Sequence, residues 1–70
     1  MKNGSYRVWF TFRNELGGHV RNFLDSNGKG FLPSEALYVA GELKAQGKTK
    51  VNIVRINSKA DIEEMARCTR

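Results

Sequence analysis

The sequence has one cysteine, Cys68, in 70 residues. A single cysteine excludes an intramolecular disulfide and a cysteine-based zinc site. Packing alone has to hold the fold, and a reducing cytoplasm is the expected location. Negative charge is scarce. Seven acidic residues stand against 12 lysines and arginines, a formal charge of +5 with a pI near 9.8. That balance favours acidic partners such as nucleic acid or an acidic protein groove. Long apolar runs are missing too. None approaches the roughly 18 residues that a membrane span needs, so no membrane partner is expected. Met1-Lys2-Asn3-Gly4-Ser5 has no apolar stretch of the kind a secretory leader carries. There is no internal repeat. A chain this short buries only about 60% of its unfolded surface. It forms one domain over residues 1–70, with one modest core, and residues 1–5 are expected to be flexible. Flat binding surfaces suit this size better than deep catalytic clefts.

What is present is organised around Tyr6–Arg13, which alternates with period two. Tyr6, Val8, Phe10 and Phe12 point one way; Arg7, Trp9, Thr11 and Arg13 point the other. This is the pattern of a strand with one core face. Asn14-Glu15-Leu16-Gly17-Gly18 breaks it, and a second extended run covers His19 to Leu24 or Asp25. A five-residue hairpin loop pairs Phe12 with Val20, Phe10 with Asn22 and Val8 with Leu24. On the other face it pairs Arg13 with His19, Thr11 with Arg21, Trp9 with Phe23 and Arg7 with Asp25. Cross-strand pairs of this kind contribute roughly 0.2–1 kcal/mol each.

After the turn-forming Ser26–Gly30, Pro33 fits the first turn of a helix with Glu35 near its positive end. Ala36, Leu37, Ala40 and Leu43 form its apolar stripe, with Val39 at the margin. Gly47 stops it. Lys50–Asn57 reads as a third strand. Ser58 can cap a short second helix over about 59–68, with Ile62, Met65 and Ala66 on one side. The fold class is therefore α+β: a three-stranded antiparallel sheet, β-β-α-β-α in order 2-1-3. One helix packs on the Val8 face, and a short C-terminal helix follows.

The first candidate site is the face bearing Arg7, Trp9, Arg13, His19, Arg21 and Phe23. Cations for phosphates and aromatic rings for bases are the ingredients of nucleic-acid binding, and Trp and Arg also anchor protein interfaces. Lys48, Lys50 and Arg55 extend it as outer electrostatic contributors. A homodimer through Trp9 would use the same face. A competing reading has the C-terminal helix fold over Trp9, making it a second small core with Ile62 and Met65. Strand three is apolar on both sides, Val51 and Ile53 against Val54 and Ile56, so the pattern leaves its buried face open.

The second candidate is Asp25–Ala36, similar to an EF-hand calcium loop. Lys29 stands where an oxygen ligand belongs, and Ala36 where a bidentate carboxylate belongs. Gly28-Lys29-Gly30 alone is too little for a phosphate loop. His19 is the only histidine, and the hairpin gives it no second ligand and no general-base partner. Asp61, Glu63 and Glu64 read as a solvated helix face. No cofactor, metal or catalytic residue is expected.

The element order, with Ser34–Ala40 opening the helix and Val51–Ile56 as closing strand, resembles small phage-encoded accessory proteins. Among these are inhibitors of host RNA polymerase with a strand-strand-helix-strand core, and some small anti-CRISPR proteins. The resemblance covers residues 6–57 and carries no diagnostic motif. It implies a non-enzymatic protein that docks on a host nucleic-acid-processing machine in the host cytoplasm. The partner would be a host protein or nucleoprotein complex. The alternative is direct DNA or RNA binding through the basic-aromatic face.

Overall fold

The computed structural model describes residues 4–68. Its elements are β1 (Tyr6–Arg13), β2 (His19–Leu24), α1 (Pro33–Ala45), β3 (Thr49–Arg55) and α2 (Lys59–Cys68). The three strands form one antiparallel sheet in the order β2-β1-β3, as the sequence pattern implies.

The hairpin register is the expected one throughout, from Val8 opposite Leu24 to Arg13 opposite His19. Asn14 makes the turn. Its side-chain oxygen accepts the backbone N–H groups of Leu16 and Gly18, and Gly17 takes φ 85°. An Asx-type bond of this sort replaces ladder bonds where the chain reverses. At the other end Arg7 reaches Asp25, 3.2 Å away, just beyond β2.

Pro33 occupies the first turn of α1, and the Glu35 side chain accepts the Leu32 N–H at 2.9 Å. The helix closes on Gly47 at φ 87°. The Lys48 N–H returns to the Leu43 carbonyl and the Gly47 N–H to that of Lys44, a Schellman ending. Ala36, Ala40 and Leu43 pack on Val8 and Phe10, with Tyr6, Phe12, Phe31, Val39, Val51 and Ile53 around them. Two alanines on the buried stripe let the helix lie close to the sheet. Leu37 is not part of that stripe. It is 67% exposed, because it lies about 100° around the helix from Ala36.

β3 runs one residue earlier than expected and ends at Arg55, where Ile56 and Asn57 turn into α2. Val51 and Ile53 take the α1 side, which decides the ambiguity of this strand. Between Trp9 and Thr11 its register slips by one, and Lys50 at that point has φ 50°. An extra residue with left-handed backbone marks a β-bulge.

The expected flexible lead is only partly within the described residues; 1–3 lie outside them. Ser5 is bonded to the rest of the fold. Ser5 N–H donates to the Phe31 carbonyl at 3.0 Å, and Ile56 N–H donates to the Ser5 carbonyl at 2.8 Å.

Candidate binding surface

The α2-facing side of the sheet carries Arg7, Trp9 and Thr11 from β1, and Arg21 and Phe23 from β2. Asp61, on the first turn of α2, points into it. The Trp9 indole N–H donates to Asp61 Oδ1 at 2.9 Å. Arg7 Nη1 donates to Oδ2 at 2.6 Å, and the Asn57 backbone N–H to the same oxygen at 2.9 Å. Ser58 caps the helix as expected, its Oγ accepting the Asp61 N–H at 3.3 Å. Phe23 stacks 4.8 Å from Trp9, and the Arg7 guanidinium lies 4.5 Å over the Phe23 ring.

This arrangement corrects the exposed-anchor expectation. Trp9 is 0% exposed, and Asp61 only 2%. Arg7 and Phe23 are half-buried beside them. The covering helix is the reading that prevails, by a different chemistry from the one anticipated. Ile62 is 58% exposed, so polar latches rather than Ile62 bring α2 to the sheet. A dimer through an exposed Trp9 loses its surface for the same reason. Nor is Asp61 part of a solvated face. Burial works to raise its pKa, but hydrogen bonds from Asn57, Trp9 and Arg7, with the Arg7 charge, hold it below the ordinary carboxylate value.

Three residues further along α2, Glu64 meets Arg21 in a two-point pair. Nε donates to Oε1 at 3.1 Å and Nη2 to Oε2 at 2.7 Å. Arg21 Nη1 also donates to Thr11 Oγ1 and to the Lys50 carbonyl. The hydrogen bond and charge of Arg21, helped by Arg67 and Asn52, lower the Glu64 pKa against its partial burial.

Beyond that pair, at the hairpin-loop end of the sheet, lies an open groove of about 670 Å³. His19, Arg21, Lys50, Asn52, Glu64 and Arg67 line it with Thr11. Arg13 is exposed and lies opposite the groove residue His19 in the hairpin register. The β3 bulge brings Lys50 here.

The eight residues singled out from the sequence therefore fall in four places. Trp9 is buried, with Arg7 and Phe23 half-buried against it. Arg21 and Lys50 line the groove, and Arg13 lies beside it, opposite His19. Lys48 sits on the α1 side, its Nζ 5.8 Å from the Phe12 ring. Arg55 pairs with Tyr6 at the far end of the sheet, about 23 Å from Arg13 at strand rise. Sequence reasoning missed Asp61, Glu64 and Arg67. Spacing of three on a helix puts Asp61, Glu64 and Arg67 on one side, and that was the available signal.

The loop resembling a calcium site is spent on structure. Asp25 Oδ1 accepts the Gly28 N–H, Oδ2 meets Arg7, and the twelfth position, Ala36, is in the core. Among the described residues no group of three or more His, Cys, Asp or Glu could hold a metal ion. No helix there is long and apolar enough to cross a membrane. No protein-family model, curated protein or solved structure matches this chain. Its class rests on the fold and surface alone: a small basic α+β domain with a cationic groove at one end.

Proposed function

We propose that this is a small non-enzymatic binding protein that docks by its cationic groove on a host nucleic-acid-processing machine. A phage or mobile-element accessory protein is the setting the element order resembles. The observation that carries this reading is how the charges are sorted. Asp25, Asp61 and Glu64 are drawn into ion pairs with Arg7 and Arg21. The surface is left richer in cations: Lys50 and Arg67 line the groove, and Arg13 stands beside it, opposite His19. Such a patch steers association with an acidic partner and is sensitive to salt.

The test uses the tagged chain and bacterial lysate, with and without nuclease treatment. A bound host protein that belongs to such a machine supports the reading if Arg13→Glu/Lys50→Glu/Arg67→Glu loses it. A Lys29→Glu/Lys44→Glu control, carrying charge changes away from the groove, should retain it. Equal capture by both variants would overturn the assignment of the groove.

A further inference from the structure

The cations at and beside the groove come from separate elements. Arg13 ends β1, Lys50 sits on the β3 bulge, and Arg67 is on the last turn of α2. Arg21 in their midst is already committed to Glu64, Thr11 and the Lys50 carbonyl. A ligand whose charges repeat along a line can meet several of them at once. Duplex DNA carries a charge about every 1.7 Å of its axis.

The form of nucleic acid follows from what is buried. Unpaired bases are held by stacking on exposed rings. Here Trp9 is inaccessible, Phe23 packs against it and Arg7, the exposed Tyr38 belongs to α1, and no Phe, Tyr or Trp lines the groove. What remains is contact with phosphates, which positions a protein without reading sequence.

Resting on the docking reading above, we propose that the groove takes the sugar–phosphate backbone of a nucleic-acid duplex. Arg13, Lys50 and Arg67 are its phosphate contacts. Glu64 is a resident negative charge that limits affinity. The machine is then met, at this surface, through the duplex it carries.

The experiment is anisotropy of a short fluorescein-labelled DNA duplex of mixed sequence, titrated with the full chain at several salt concentrations. Three phosphate contacts give a log–log slope of about −2.7, so affinity falls about 40-fold between 50 and 200 mM salt. Lys50→Asn or Arg67→Gln should each remove one contact and reduce that fall to about 12-fold. Asn is chosen at position 50 because it tolerates positive φ. Glu64→Gln should tighten binding at every salt concentration. Thermal melts identify any variant that has lost its fold, and Lys50→Asn and Arg67→Gln, at exposed positions, keep the test available if Glu64→Gln does so. Lys29→Gln, in the distant loop, should bind like the parent. An unchanged salt slope in both Lys50→Asn and Arg67→Gln overturns the proposal, as does weaker binding by a folded Glu64→Gln. Polyglutamate is titrated in parallel. If it binds through the groove and the duplex does not, the duplex proposal fails while docking on an acidic surface survives. If neither binds, both fail.

Discussion

Asp61 is the residue on which the α2-facing side of the sheet depends. Its carboxylate accepts hydrogen bonds from Arg7, Trp9 and Asn57 at once. Removing one partner of a buried pair leaves the other charge uncompensated, at a cost of about 3–5 kcal/mol. Asp61→Ala is therefore expected to lower the unfolding free energy by about that amount in urea denaturation. Trp9→Ala should be comparably severe, about 3–5 kcal/mol, and not the mild, binding-only change an exposed anchor would give. Trp9 is the only tryptophan, so its emission reports on the same site. Blue-shifted emission in the folded state is the expected result, and a solvent-like spectrum would contradict its burial.

Acid should act through the same carboxylates. Asp61 and Glu64 are both lowered in the folded state from ordinary values of 3.8 and 4.5. A depressed folded pKa means that the unfolded chain takes up protons first as pH falls. The stability these groups contribute is fully present above about pH 5, and it declines as pH falls past their ordinary values toward the lower folded ones. Melting temperature followed from pH 7 to pH 3 should be flat and then drop. Glu64→Gln should make the drop shallower. An identical profile in that variant would mean the Arg21 pair contributes nothing.

At the scale of elements, the backbone decides where substitutions hurt. Gly30 is buried with φ 84°, and a Cβ there would meet the Gly4 carbonyl oxygen at 2.7 Å. Gly30→Ala is expected to cost about 2 kcal/mol, from left-handed strain together with the clash. Leu37 makes the contrast. It was legible as apolar at helical spacing, but the alanines and Leu43 define the buried stripe. Leu37→Ser should change stability by less than about 0.5 kcal/mol. A larger loss in chemical denaturation would return Leu37 to the core. The β3 bulge belongs to this scale as well. Period-two patterning has no mark for an extra residue, so the placement of Lys50 at the groove could not be read from alternation.

At the scale of the whole molecule, the sheet is covered on both sides by unequal means. α1 brings a small apolar core, whereas α2 brings two carboxylates three residues apart. A chain ending at Asn57 keeps α1 and all three strands but leaves Arg7, Trp9 and Arg21 without those partners. It should fail to reach the native sheet, with red-shifted Trp9 emission and no cooperative melt. A cooperative melt would show that α2 is dispensable.

The sequence by itself determined the strand order, the hairpin register and the α1 boundaries, because these follow from local signals. Alternation assigns faces, Asn14 with two glycines sets the loop, and Pro33 and Gly47 bound the helix. It also determined which face of β1 meets α1. Only the tertiary structure decided that Trp9 is buried, with Arg7 and Phe23 half-buried against it. Their partner, Asp61, is 52 positions from Trp9 along the chain, and a charged residue at a helix start looks the same whether it faces water or a buried indole. The groove was decided there too, since it assembles one end of each strand with the last turn of α2, and no local pattern records which ends meet.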